Sequence, residues 1–244
     1  RLSVKEWKDL YEELVRWDLQ LSNNRDSGMA EILRSQWAEA NDLFCRFVEN
    51  NYLTWLTGNA KDAPLQSHQL FKAKVAPLID EKQAPLFMVL IDNLRLDQWR
   101  IIEPIVSEYF KVEEQGAFFS ILPTATQYAR NALFAGMMPA DIERRFPGKW
   151  LNEDAEGSKN AYEDEFLAAQ LKGLGKNVKH SYHKITNIAQ GKKLAESMHT
   201  LMDNAFNVIV YNFVDMLSHA RTEMEIIREL AEDEPAYRSL TRSW

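Results

Sequence analysis

The chain has 244 residues, of which 45% are hydrophobic and 27% charged, a composition that excludes a disordered or low-complexity protein. The net charge of −7 excludes the broad cationic surface that binds duplex DNA or an anionic membrane by charge alone. The longest apolar runs fall far short of the roughly 20 residues of a membrane-spanning helix. No secretion signal is recognisable, so we expect a cytoplasmic protein.

The first part of the chain predicts two amphipathic helices. Ser3 and Glu6 have the spacing of a capping box, and apolar residues then recur every three or four positions as far as Trp17. Polar residues over 23–28 predict a break before the second helix. The expected inward stripe of that helix consists of Ile32, Leu33, Trp37, Leu43, Phe44, Phe47 and Val48. The single cysteine, Cys45, is expected to be a small core residue there.

From about residue 85 the pattern changes to alternating strands and helices. The continuous apolar runs over 86–91 and 208–213 are typical of strands that are covered on both faces, as in a parallel sheet. Weaker patterns predict strands over 117–122 and 178–182, and helices over 96–109, 127–135, 163–174 and 192–202. The expected fold is therefore α/β, with helices on both faces of a mixed or parallel sheet and active groups at the carboxyl ends of the strands.

Acidic residues follow the two strongest strands. Asp92 comes directly after the first, and Asp215 follows the last, with His219 four residues further on. In a helix this spacing places a carboxylate and an imidazole on one face, where both can bind one metal ion. Helix capping is the alternative role for each aspartate taken alone.

Thr126 stands at a third predicted junction between a strand and a helix. A hydroxyl group there lies in the field of exposed backbone N–H groups, which suits a nucleophile or a bound phosphate. A simple N-cap is the alternative.

Other candidate sites are weaker. The remaining histidines, His68, His180, His183 and His199, lack partners at metal-ligand spacing. The glycine motifs of P-loop enzymes, dinucleotide-binding proteins and esterases are missing from the sequence.

Three segments together resemble a known family: the strand end before Asp92, Pro123-Thr124-Ala125-Thr126 followed by Gly136, and the 211–219 segment around Asp215. They are similar to the PglZ-domain branch of the alkaline phosphatase superfamily. Within this branch they look most like PorX-type response regulators, which are associated with type IX secretion. The likeness runs from about residue 86 to 244, and the helical start resembles the connector of those regulators.

The resemblance implies a helical connector over residues 1–80 and the first part of an alkaline-phosphatase-like α/β domain over 81–244. It implies two zinc ions, one held by Asp92 and Thr126 and the other by Asp215 and His219, with Thr126 as the nucleophile. The implied substrate is a phosphate ester or a nucleotide phosphodiester. A sensor kinase, other signalling proteins and a second copy of the chain are the implied partners.

Two departures from the family pattern bear on the site. Its downstream Asp-His-Gly segment and last histidine are not found, so we expect an incomplete, weak metal site. The receiver domain that would precede Arg1 in the PorX type is also not found, which favours a fragment of a longer chain. Ala129 stands where phosphodiesterase relatives carry a phosphate-binding asparagine. Arg95, Arg130 and Asn131 are the alternative substrate-binding candidates.

A second function from a different class is a non-catalytic signalling module. In that interpretation the helices and the α/β domain bind protein partners or dimerise, and the site is vestigial. Tryptophans such as Trp7, Trp17 and Trp37 would suit such a surface, although helix packing explains them equally well.

Overall fold

The computed structural model describes residues 2–22, 27–58, 60–83, 85–151, 156–223 and 234–243. The chain forms two compact units that are interleaved in sequence: the first comprises residues 1–64, 94–117 and 219–244, and the second residues 65–93 and 118–218. The division at residue 80 stays a prediction. None of the helices in the described ranges has the length and hydropathy needed to cross a membrane.

The first unit is helical. Its helices are α1 (Val4–Ser22), α2 (Ser27–Leu56), α4 (Leu96–Val106) and α10 (Glu234–Ser243). Both predicted N-terminal helices are confirmed, although Ser27 and Gly28 already belong to α2 and residues 23–26 lie outside the described residues.

Helix α1 begins with the predicted capping box. The Ser3 N–H donates to Glu6 Oε2 at 2.7 Å, and the Glu6 N–H donates to Ser3 Oγ at 3.3 Å, so two N–H groups at the helix start are satisfied. Trp7 is buried, with its ring centroid 5.2 Å from that of Phe44. The apolar face of α1 is buried only in part, because Trp17 remains 46% exposed.

The prediction for Cys45 is wrong, since the thiol is exposed on α2. Leu43, at 46% exposed, and Ile32, nearer the start of the same helix, also face outward. Leu33 is the buried member of the predicted stripe. A helix of 30 residues packed along one side turns part of any apolar stripe towards solvent.

Asp97 and Arg238 form a buried ion pair in the helical unit. Arg238 Nε donates to Asp97 Oδ2 at 2.7 Å and Arg238 Nη1 donates to Ser22 Oγ at 3.0 Å, while its Nη2 pairs with Asp18. Arg95 donates to both oxygens of Asp97 at 2.9 Å. These contacts of Arg238 join α10 to α4, through Asp97, and to α1, through Asp18 and Ser22.

We expect Asp97→Asn to lower the free energy of unfolding at neutral pH by about 2–4 kcal/mol, because Arg238 stays buried with one carboxylate fewer. Burial acts to raise the pKa of Asp97, but hydrogen bonds from Arg95 and Arg238 outweigh it and hold the pKa below its ordinary 3.8. This stabilisation is therefore fully present above about pH 3.9 and is lost as the pH falls through the lower folded-state pKa.

Urea denaturation of the wild type and of Asp97→Asn at several pH values tests this expectation. The stability difference should narrow below about pH 3.9. Asp9→Asn, at the exposed Lys5–Asp9 pair, is the control and should change stability by less than about 1 kcal/mol. A difference between wild type and Asp97→Asn that is constant with pH would contradict the assignment.

The second unit is α/β. Its strands are β1 (Leu86–Ile91), β2 (His180–Ile185) and β3 (Phe206–Tyr211). Its helices are α3 (Ser67–Leu70), α5 (Thr126–Ala135), α6 (Pro139–Arg145), α7 (Glu163–Gly173) and α8 (Ile188–Glu196), together with the first part of α9 (Phe213–Glu223) and short irregular turns over Phe71–Val75, Ala76–Leu78 and Met198–Leu201.

The three strands form a parallel sheet in the order β1-β3-β2. Leu90 on β1 and Lys184 on β2 both lie opposite Val210 of β3. One face of the sheet packs on the main core, which includes Phe134 and Phe166. The predicted α/β class is confirmed, and so is the parallel sheet.

Two predicted strands differ from the structure, and β3 begins and ends two residues earlier than the predicted 208–213. Residues 117–122 do not form a strand: Phe119 makes a single isolated bridge, to Gln66, and Leu122 is exposed. An apolar run becomes a strand only where a neighbouring strand supplies hydrogen bonds along its length. The strand predicted over 178–182 lies two to three residues further on, over His180–Ile185.

Gly136 ends α5 as predicted, in the left-handed conformation with φ 66°. A Cβ at this position would overlap the side-chain amide of Gln170, which donates to the carbonyls of Leu133 and Phe134 at 3.0 and 2.7 Å. We therefore expect Gly136→Ala to cost about 2–4 kcal/mol of stability, from backbone strain and from displacement of a buried hydrogen-bonding group. Denaturant titration provides the measurement.

Gly148→Ala is the matched control. Gly148 also has a positive φ, of 79°, but no atom of the described residues lies within contact distance of a Cβ there. Its substitution should cost only about 1–2 kcal/mol, from strain alone. Equal losses for the two variants would show that Gln170 does not contribute.

Candidate functional site

The carboxyl edge of the sheet positions the candidate site. Asp92 is the first residue after β1, and its N–H donates to Tyr211 O at 2.9 Å, which continues the ladder to β3. Asn93 then adopts a positive φ of 59°, which asparagine tolerates better than most residues, and the chain turns away from the sheet. Asn212 stands in the equivalent place after β3.

Thr126 faces Asp92. It is the first residue of α5, and its Oγ1 lies 3.4 Å from Oδ1 and 3.5 Å from Oδ2 of Asp92. The N-cap position is held by Ala125, which makes no side-chain cap. Capping by Thr126, the alternative considered from the sequence, is therefore wrong.

Arg130 lies one turn further along α5 than Thr126 and contacts Asp92. It is only 4% exposed. Its Nη1 donates to Asp92 Oδ2 at 2.8 Å and to Asn212 Oδ1 at 3.2 Å, and its Nε pairs with Glu163 Oε1. The guanidinium group is thus shared between two carboxylates.

Glu163, at the start of α7, is the residue of this site that the sequence does not reveal. It is 1% exposed. Oε1 accepts hydrogen bonds from Arg130 and, at 3.0 Å, from Asn160, while Oε2 accepts one from the Tyr182 hydroxyl. An acidic residue in the first turn of a helix is common because it complements the helix dipole, so this position carries no distinctive signal.

The electrostatics of the site follow from burial and from the grouping of carboxylates. Burial raises the pKa of Asp92, and the nearby Asp215 and Glu163 add to the rise, whereas Arg130 and Thr126 oppose it. Burial acts to lower the pKa of Arg130, but pairing with Glu163 and Asp92 raises it overall. Arg130 therefore stays charged.

Tyr182 and Lys184 alternate with His183 along β2 and share one face of the sheet. Burial, followed by the Glu163 carboxylate, raises the pKa of Tyr182. The pKa of Lys184 is lowered, chiefly by burial. A neutral phenol next to Glu163 is the donor that a buried carboxylate requires.

The other predicted site residues are distributed between the two units. Asp215 lies in the first turn of α9 and is close enough to Asp92 to affect its pKa. His219, one turn later on the same face of α9, belongs to the helical unit. Arg95 also belongs to that unit, where it pairs with Asp97.

Asn131 is 1% exposed, and its amide donates to the carbonyls of Gln127 and Lys159 at 2.8 and 3.0 Å. Its Oδ1 makes no hydrogen bond within the described ranges. The contacts of Asn131 hold the segment around Lys159 against α5. Substrate binding by Arg95, Arg130 or Asn131 stays a prediction.

The spatial grouping of possible metal ligands gives little support for a metal site. In the part of the chain that the structure describes, no three His, Cys, Asp or Glu side chains are clustered closely enough to hold an ion. The oxygens that do converge are those of Asp92 and Thr126, with Asp215 nearby. They combine a hydroxyl, two carboxylates and a helix N-terminus at one edge of a sheet, which is a suitable setting for phosphoryl chemistry.

Comparison with known proteins assigns both parts of the sequence. Residues 1–56 match the PorX response regulator linker domain. No curated protein matches the chain significantly. Residues 70–242, well over half of the chain, match the BREX system PglZ alkaline phosphatase-like domain. The chain therefore belongs to the PglZ family of alkaline phosphatase-like domains.

Proposed function

We propose that this chain is the metal-dependent phosphatase or phosphodiesterase module of a two-component response regulator, with Thr126 as the nucleophile. The family membership and the PorX-type linker over residues 1–56 support the coarse assignment. One observation supports Thr126 as the nucleophile: its hydroxyl group lies at the N-terminus of α5 and faces both oxygens of the buried Asp92.

The donor atoms fit zinc in part. Neighbouring ligands of a tetrahedral zinc ion, with bonds of 2.0–2.2 Å, are about 3.3–3.6 Å apart. The 3.4 Å between Thr126 Oγ1 and Asp92 Oδ1 falls in this range and is longer than a normal O–H···O hydrogen bond. Asp92 and Thr126 would hold one ion, and Asp215 with His219 would contribute to a second.

The proposed reaction is phosphoryl transfer to Thr126. The Thr126 oxygen forms a bond to phosphorus as the bond to the leaving oxygen breaks, and water later cleaves the bond between Thr126 and phosphorus, which releases phosphate from a monoester substrate or a phosphate monoester from a diester. Bound metal would stabilise the charge on the attacking and leaving oxygens. Asp92 Oδ1 is the nearest acceptor for the Thr126 hydroxyl proton, and the start of α5 favours the anionic phosphate.

Substrate, partners and location are proposed on family resemblance. We propose a nucleotide phosphodiester as the substrate, with a general phosphate ester as the broader class. A sensor kinase, other signalling proteins and a second copy of the chain are the proposed partners, in the cytoplasm.

A non-catalytic signalling module is the second candidate, and one observation favours it. Arg130 already neutralises Asp92 with a buried hydrogen-bonded pair. A carboxylate held in this way is a weaker metal ligand than an unpaired one.

Hydrolysis of nitrophenyl phosphate and of a bis-nitrophenyl phosphodiester, with zinc, manganese or a chelator, separates the two candidates. The proposed enzyme requires metal-dependent turnover and a gain of one phosphoryl group in the tryptic peptide that contains Thr126. No turnover with any metal, and no phosphorylated peptide, would instead support the signalling module.

A further inference from the structure

Contacts around Thr126 and Asp92 form a closed ring. Asn160 Nδ2 donates to the Thr126 carbonyl at 3.2 Å and to Glu163 at 3.0 Å. Glu163 holds Arg130, which holds Asp92, and Asp92 faces the Thr126 hydroxyl. One buried carboxylate thus connects the backbone of the proposed nucleophile with the aspartate opposite it.

Arg130 divides its donors between two acids. A guanidinium group prefers to bind one carboxylate with two parallel N–H groups. Here Nε pairs with Glu163, and Nη1 donates to Asp92 Oδ2. Binding both oxygens of Asp92 through Nη1 and Nη2 requires the guanidinium group to turn, which the contact of Nε with Glu163 opposes. Among the described hydrogen bonds, Asp92 Oδ1 makes none to Arg130, and it faces Thr126 Oγ1 at 3.4 Å.

We infer that Glu163 is a positioning residue: by holding Arg130 Nε it fixes the guanidinium group in an orientation that presents Nη1 to Oδ2 of Asp92 and keeps Arg130 from turning to bind both oxygens. The inference rests on the proposed function for its chemical consequence, since Asp92 Oδ1 is the atom that faces the nucleophile. Tyr182 and Asn160 hold the Glu163 carboxylate in place, at Oε2 and Oε1 respectively.

The structural test is a crystal structure of Glu163→Gln beside that of the wild type. A neutral amide competes poorly for the guanidinium group, so we expect Arg130 to turn and contact both oxygens of Asp92. A structure in which Arg130 still contacts Asp92 through Oδ2 alone would overturn the inference. This readout needs no turnover, so it decides the positioning role even if the wild type proves inactive and the proposed function fails.

The kinetic test uses the same variant. Where the wild type hydrolyses phosphate esters, kcat of Glu163→Gln should fall about 10–100-fold with little change in KM, as is usual when a partner of an active-site carboxylate is lost. Glu165→Gln, an exposed acid on the same helix, is the control and should retain wild-type kinetics. Equal losses in both variants would contradict a specific role for Glu163.

A second substitution distinguishes positioning from support of the fold. Lysine cannot bind a carboxylate through two parallel donors. Adding Arg130→Lys to Glu163→Gln should therefore restore kcat by roughly tenfold relative to the single variant. Further loss in the double variant would indicate a structural role alone.

If Glu163→Gln does not fold, Glu163→Asp provides the same comparison with the buried charges still balanced. The shorter carboxylate withdraws from Arg130 by one methylene, so capture of both Asp92 oxygens is again expected. Retention of the single Oδ2 contact would overturn the inference.

Discussion

Thr126→Ala should lower the turnover of a nitrophenyl phosphate ester at least about 10³-fold, because the variant lacks the hydroxyl group that attacks phosphorus in the proposed reaction. Family resemblance and the approach of Thr126 Oγ1 to Asp92 both point to this residue. Steady-state kinetics at saturating metal provide the measurement. The phosphorylated peptide should disappear at the same time.

Thr124→Ala is the matched control, since Thr124 lies in the same Pro-Thr-Ala-Thr segment and is exposed. It should keep turnover within a few-fold of the wild type. Thr126→Ser retains a hydroxyl and should keep most of the activity. Comparable losses in the two alanine variants would remove Thr126 from the role of nucleophile.

Arg130→Met should be the most destabilising single substitution at this site, at about 3–5 kcal/mol. The loss of the guanidinium group leaves Asp92 and Glu163 as buried carboxylates without their shared partner. Urea denaturation followed by circular dichroism measures the effect. Arg144→Met, at an exposed pair with Asp141, should change stability by less than about 1 kcal/mol.

A double variant tests the cause of the instability. With Glu163→Gln added to Arg130→Met, one of the two unpaired charges is gone, so the combined loss should be about 2 kcal/mol smaller than the sum of the single losses. Strictly additive losses would mean that Arg130 stabilises the unit by packing and not by charge.

The sequence predicts most of the helices and two of the three strands because these elements carry their own local pattern. Six apolar residues in a row identify β1, and Gly136 marks the end of α5. Residues 117–122 carry a similar pattern but no strand, since the availability of a pairing neighbour depends on residues far away in the chain. The exposure of Cys45 has a different cause: α2 packs along one side only, and its local pattern does not tell which part of the apolar stripe that side covers.

Site residues can be predicted from the sequence where they belong to a recognisable motif. They cannot be predicted where tertiary contacts alone bring them to the site. Asp92, Thr126 and Asp215 follow from strand ends and family likeness, and the structure brings Thr126 within 3.4 Å of Asp92. Glu163, by contrast, lies 33 residues from the arginine it binds. Only packing of α7 against α5 converts an ordinary first-turn acid into the centre of a buried network.

Strand order also has a consequence during synthesis of the chain. Among the described strands, β1 and β2 each pair only with β3, which is the last of the three to be translated. A nascent chain that ends before residue 206 thus carries the apolar strand β1 and the more polar strand β2 without their pairing strand, and ribosome-bound chains of that length should depend on chaperones until β3 emerges and the sheet forms.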